Sequence, residues 1–157
     1  LINDIYKANL PIFGVCFGHQ LIAQALGGHV EKSKKGWGLG LHTYQVNNKP
    51  DYMSNLSDEV TLNICHQDQV LRPPQGATVY AKSKFCENAG FYIKDKVLTM
   101  QAHPEFLVDF IKALLTARRD VTIPKEFVDP ALVGLNNNSD SVESNQFAET
   151  IRRFFLN

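Results

Sequence analysis

Apolar and polar positions along this chain follow two rhythms, one helical and one extended. Residues 1–8 place Leu1, Ile5 and Ala8 on one face, as the last turns of a helix do. Residues 11–15 (PIFGV) are short, apolar and β-rich, which predicts a strand covered on both faces. Residues 18–26 return to helical spacing through Leu21, Ile22, Ala25 and Leu26, and Gly27-Gly28 stops them. Residues 29–32 read as a strand, 36–40 as a glycine-rich link and 41–46 as another strand. A polar loop interrupted by Pro50 fills 47–58, and 60–65 alternates as a strand that delivers His66-Gln67-Asp68-Gln69 at its end. Pro73-Pro74-Gln75-Gly76 turns the chain into 77–83. Residues 90–93 and 96–102 form a hairpin about Lys94-Asp95. Residues 107–118 are a clear amphipathic helix. Beyond them Pro124 and Pro130 break the pattern, 136–141 is a polar linker, and 143–155 closes as a helix. Strands alternating with helices predict an α/β fold, whose chemistry gathers at the carboxyl ends of the strands. Cys16, His66 and His103 each fall at such an end.

Composition narrows the function classes. The 157 residues suffice for one domain with a proper core. Sixteen basic residues balance sixteen acidic ones, so no overall field points to nucleic acid or to an anionic membrane. The longest basic cluster, Lys32-Ser33-Lys34-Lys35, reads as a solvated loop. No apolar run approaches the roughly 18 residues of a membrane span, and LINDIYKANL lacks the basic start and apolar core of a secretion signal. Cys16, Cys65 and Cys86 form no Cys-x-x-Cys, so neither a zinc site nor a cofactor is expected. An odd cysteine count without a secretion signal points to a reducing, cytoplasmic compartment.

The chemistry centres on Gly14-Val15-Cys16-Phe17-Gly18-His19-Gln20. A sharp strand-to-helix turn exposes its central residue and aims the next backbone N–H at the reaction centre. Gly14 and Gly18 permit the bend and the close packing, and the helix N-terminus favours a thiolate. Phe17 N–H would then hold the oxyanion of a tetrahedral intermediate. Taken alone, Cys16 reads as readily as an ordinary buried cysteine. His103-Pro104-Glu105 decides between the two. In an extended segment residues two apart project to one side, so Glu105 reaches the His103 ring. A carboxylate there selects the tautomer and stabilises the imidazolium that forms when the ring accepts the thiol proton.

These two stretches, the second running Gln101-Ala102-His103-Pro104-Glu105-Phe106, resemble the class I glutamine amidotransferases. Cys65-His66-Gln67-Asp68-Gln69-Val70 and Gly36-Trp37-Gly38-Leu39-Gly40 resemble its GMP-synthase-like stand-alone branch. The likeness covers about residues 1–119. It implies a flavodoxin-like fold with a central, mostly parallel sheet, and a single amidotransferase domain over 1–157 in which 120–157 are a C-terminal extension. It also implies glutamine hydrolysis through a γ-glutamyl thioester. Cys16 would be the nucleophile, His103 the base and acid, Glu105 the orienting carboxylate, and Gln20, His66, Gln67 and Asp68 the substrate-binding set. Gln101 has only the reading of a strand residue. His19 is a helix residue beside the nucleophile, His29 and His42 stand alone, Trp37 packs near the site mouth, and Cys65 and Cys86 are core or incidental thiols.

Fifteen residues precede Cys16, fewer than the roughly 30 of one βαβ unit. The family carries several such units there, with a glycine-rich loop that supplies the second oxyanion N–H. The expectation is therefore that N-terminal strands are missing and that the chain is the C-terminal part of a larger polypeptide or an incomplete one. The ammonia formed would pass to a separate synthetase subunit. The alternatives are a γ-glutamyl peptidase acting on peptides or glutathione conjugates, and a non-catalytic amidotransferase-like binding domain. The related intracellular protease-like proteins carry His directly after the elbow cysteine, where this chain has Phe17.

Overall fold

The computed structural model describes residues 1–137 and 143–157. Helix α1 (Ile2–Lys7) leads into strand β1 (Ile12–Val15), and helix α2 (Phe17–Ala25) follows after the single residue Cys16. Strands β2 (His29–Lys32), β3 (Gly38–Val46), β4 (Glu59–His66), β5 (Asp68–Arg72), β6 (Thr78–Lys82), β7 (Gly90–Ile93) and β8 (Val97–Met100) come next. Helices α3 (Val108–Arg118), α4 (Lys125–Asn137) and α5 (Ser144–Leu156) end the chain.

Six strands form one sheet in the order β1-β8-β7-β6-β3-β4, while β2 and β5 pair as a separate antiparallel ribbon. The architecture is α/β, as the sequence predicts. Parallel pairing joins β1 to β8, with Gly14 opposite Thr99 and Val15 opposite Met100, and the other pairs of this sheet are antiparallel. Strand β8 is buried along its whole length and alternates between two cores. Leu98 and Met100 join the cluster that α5 closes with Phe147 and Phe154, while Val97 joins Ile22, Ala23 and Phe91 beneath α2. A third cluster packs α3 and α4 on β3 through Leu39, Ile111, Leu115, Val128 and Leu135. Among the described residues no helix is long and apolar enough to cross a membrane.

Several elements depart from expectation. The link over 36–40 ends at Gly38, because Gly38-Leu39-Gly40 already pair with Ile64 to His66 as part of β3. A Cβ on Gly38 would sit 2.3 Å from Phe85 and 2.7 Å from Ile64, so glycine there admits core neighbours and does not loosen the chain. The strand expected over 60–65 runs on to His66, and after Gln67 alone a further strand, β5, starts at Asp68. The loop over 47–58 holds a 3-10 turn, Asp51–Met53, with Tyr52 and Met53 buried. Pro124 and Pro130 do not break the chain after α3. The Pro124 carbonyl accepts from Phe127 and Val128 and so opens α4, and Pro130 lies inside that helix. The N–H that Pro130 lacks costs one hydrogen bond near the start of the helix, while Val128 and Leu135 bury its apolar side. Of the polar linker over 136–141, residues 136 and 137 belong to α4, and 138–141 lie outside the described residues.

Candidate functional site

Cys16 stands between β1 and α2 with φ 48° and ψ −101°, a left-handed backbone that costs a non-glycine residue about 1–3 kcal/mol. Its N–H donates to the Met100 carbonyl at 2.8 Å, which ties the turn to the end of β8. Gly14 is needed for this approach: a Cβ there would lie 2.5 Å from Ile22 and 2.7 Å from the Gly18 backbone. Gly18 does not share the steric role expected of it, because a Cβ there meets nothing within 4 Å. Phe17, first in α2 and 67% exposed, has an N–H with no intrahelical acceptor.

His103 follows β8, the parallel neighbour of β1, at the same end of the pair as Cys16. Its N–H donates to the Asn63 carbonyl at 2.8 Å, and Asn63 Nδ2 donates to the Phe106 carbonyl at 2.9 Å. The ring stacks on Phe106 with centroids 3.9 Å apart and planes 5° from parallel. Glu105 Oε1 lies 2.6 Å from His103 Nδ1, as the residue types predict, but by a different route. Phe106 N–H closes a turn onto the His103 carbonyl, so the segment is turned and not extended where Glu105 meets the ring edge at Nδ1. Burial disfavours charge on this ring, yet hydrogen bonding to Cys16 and to Glu105 outweighs it and raises the pKa to about 9. With Nδ1 committed to Glu105, Nε2 is the nitrogen left for the Cys16 sulfur.

A cleft of about 460 Å³ opens beside the thiol, lined by Gln20, Lys32, Trp37, Cys65, His66, Gln67 and Asp68. All four residues expected to bind substrate are therefore in its wall. His66 is buried, with Nδ1 3.0 Å from the Asp68 carbonyl, and burial lowers its pKa to about 4. The ring is thus neutral at pH 7 and donates from Nδ1. The Asp68 carbonyl also accepts from Gln20 Nε2 at 2.9 Å.

Gln101, which reads from the sequence only as a strand residue, lies against the Cys16 thiol. It is fully buried, and its Nε2 donates to Cys16 Sγ at 3.5 Å while its Oε1 accepts from Gln20 Nε2 at 3.1 Å. Its place two residues before His103 was the one signal available. The remaining candidates, Cys65 apart, stand away from the cleft. His19 is buried against Phe91 and pairs with Thr99 Oγ1 at 2.8 Å, and burial lowers its pKa to about 3. His29 pairs with Glu31 at the surface, and His42 meets the Phe85 edge. Cys65 lines the cleft as well as packing with Trp37 and Leu39, and burial raises its pKa. Cys86 lies in the core, with its thiol pushed up to about 12 by burial. Among the described residues no three His, Cys, Asp or Glu side chains converge as metal ligands.

The family model for glutamine amidotransferase class-I matches residues 1–113. A Saccharomyces cerevisiae protein carrying the glutamine amidotransferase name is 36% identical over 148 residues, 93% of this chain and 57% of its own. Gamma-glutamyl peptidase 4 of Arabidopsis thaliana is 37% identical over 71% of this chain and 46% of its own. The glutamine-hydrolyzing GMP synthase of Finegoldia magna is 33% identical over 66% of this chain and 20% of its own. The chain thus spans about half the length of the first two relatives and a fifth of the third. The crystal structure of a glutamine amidotransferase from Thermotoga maritima shares the fold, with a TM-score of 0.82 at 23% identity over 99% of this chain and 67% of that one.

Proposed function

The chain belongs to the class-I glutamine amidotransferase family, and from that premise we propose that it hydrolyses a γ-glutamyl amide, glutamine first of all, through a thioester on Cys16. The observation that carries this reading is the geometry of His103, whose Nδ1 lies 2.6 Å from the Glu105 carboxylate while its other side faces Cys16. In this mechanism His103 holds the proton that the Cys16 thiol has given up. The sulfur attacks the γ-carbonyl carbon, and the carbonyl oxygen takes the negative charge against Phe17 N–H. His103 passes its proton to the departing nitrogen, the C–N bond breaks, and ammonia leaves the γ-glutamyl thioester. The neutral ring then removes a proton from water. The hydroxide adds to the thioester, the C–S bond breaks, and glutamate departs with the Cys16–His103 pair restored. Glu105 holds the ring in the tautomer this cycle needs.

Gln20, His66, Gln67 and Asp68 bind the γ-glutamyl part in this reading. Residues 1–157 act as one amidotransferase domain, with 120–157 extending the part that carries the site. Free thiols at Cys16, Cys65 and Cys86 suit a reducing, cytoplasmic setting. Ammonia would serve a synthetase subunit, the arrangement suggested by the GMP synthase relatives. A second reading, γ-glutamyl peptidase, draws support from the Arabidopsis thaliana relative and from Lys32 and Trp37. These place a cation and an aromatic face on the cleft wall for whatever follows the scissile amide.

Full-length protein incubated with glutamine and with γ-glutamyl dipeptides tests both. Ammonia and glutamate from glutamine support the first reading. Release of the second amino acid with slow glutamine turnover supports the peptidase, and no product from either points to a binding domain. Cys16→Ala abolishes turnover; product formation that survives this change sinks the mechanism.

A further inference from the structure

A chain of side-chain amides ends on the Cys16 sulfur. Gln20, one helical turn after Cys16, has an amide nitrogen that donates to the Asp68 carbonyl at 2.9 Å and to Gln101 Oε1 at 3.1 Å. Gln101 Nε2 donates in turn to Cys16 Sγ at 3.5 Å. The direction of this chain is dictated by its first member. A backbone carbonyl only accepts, so Gln20 must turn its NH2 towards Asp68. That NH2 has two hydrogens, and the second goes to the Gln101 oxygen. The Gln101 NH2 is then the end left facing the sulfur. Turning Gln20 over would set its carbonyl oxygen against the Asp68 carbonyl, and turning Gln101 over would set its NH2 against that of Gln20. Gln101 is also fully buried, and its own backbone N–H is held by the Ala89 carbonyl at 2.7 Å.

A buried amide pair that merely filled space would be bettered by leucine, which has no polar group to desolvate. Here one N–H is directed at the one sulfur that also faces His103. Resting on the reading of Cys16 as the nucleophile, we propose that Gln101 is a positioning residue for the Cys16 sulfur: locked by Gln20 and the Asp68 carbonyl, it points an N–H at the sulfur and favours the anionic form. Hydrogen bonding to the charged form of a group favours that form. The lock also ties the sulfur to the cleft wall, because Asp68 opens β5 and lines the cleft.

The test reads the sulfur itself. Full-length protein and its Gln101→Leu and Gln101→Glu variants are alkylated with iodoacetamide across the acid, neutral and alkaline range, and Cys16 modification is followed by peptide mass mapping. In Gln101→Leu the Cys16 midpoint rises by about one pH unit, equivalent to about a tenfold slower reaction on the acid side of the midpoint. In Gln101→Glu it rises further, because a carboxylate supplies no N–H and adds like charge. The profile of Cys65 stays where it is. A Gln101 that only supports the core would lower the melting temperature of both variants and leave the Cys16 midpoint unmoved, which would overturn the proposal. If the Gln101 variants do not fold, Gln20→Leu releases the lock one link away; it moves the midpoint in the same direction by a smaller amount, and a wild-type profile there is equally fatal. Alkylation uses no glutamine. A shifted midpoint without turnover of any γ-glutamyl compound would therefore sink the functional reading and leave this one standing, and turnover with an unmoved midpoint would do the reverse.

Discussion

Glu105→Gln separates the charge beside His103 from the geometry that holds the ring. Glutamine keeps an acceptor oxygen for Nδ1–H, so the ring stays in place while the negative charge goes. The bond at issue is short, 2.6 Å, but the Glu105 side chain is 52% exposed against 14% for His103, so solvent screens part of its charge. One charge-assisted bond discounted in this way contributes about 1.5 kcal/mol, or about one pH unit. The His103 midpoint should therefore fall from about 9 to roughly 8, with the pairing to Cys16 supplying what remains. NMR of histidine-labelled protein reads this directly. His19 and His66 titrate far to the acid side, so a resonance moving above neutrality is checked as His103 with His103→Asn. The alkaline limb of activity should move by the same amount, with less than about a tenfold loss at neutral pH, where the ring remains mostly charged. Glu105→Ala, which removes the acceptor too, should lose far more. An unmoved or raised His103 midpoint in Glu105→Gln would refute the carboxylate's part in charging the ring.

The sign of the linked stability follows. The folded pKa of His103 lies above its unfolded value of 6.5, so this contribution is whole below pH 6.5 and disappears as pH rises through about 9; denaturant titrations should show Glu105→Gln losing it earlier. His19 and His66 act oppositely, since their folded values are depressed. As pH falls from 6.5 towards about 4, each should remove about 1.4 kcal/mol per pH unit, and His66→Asn should flatten that slope. Gly14→Ala should cost about 1–3 kcal/mol in a denaturant melt, because its Cβ would collide with Ile22 and the Gly18 backbone. Gly18→Ala, opening into free space, should change stability by less than about 1 kcal/mol.

What the sequence shows of this molecule is what short-range chemistry encodes. PIFGV, Cys16 and the helical spacing after it declare a strand, an elbow and a helix, because each depends on residues within a few places of one another. His103 and Glu105 are legible for the same reason: an imidazole and a carboxylate two residues apart can meet whether the backbone is extended or turned, as Phe106 closes it here. Strand β5 was hidden because one residue separates His66 from Asp68, and the expected turn signals are missing between them. Gly38 and Gly40 read as punctuation, although Phe85 and Ile64 crowd the first and Ala131 the second. Those neighbours come from distant segments, and no local rhythm announces them. Gln101 is the clearest case. Its oxygen meets an amide 81 residues away and its nitrogen a sulfur 85 residues away. A glutamine carries the same letters whether it faces solvent or a thiol. Only the pairing of β1 with β8, which sets Val15 opposite Met100, brings the residue after Met100 next to the residue after Val15. The register of one parallel strand pair therefore aligns both the elbow and the amide that faces it.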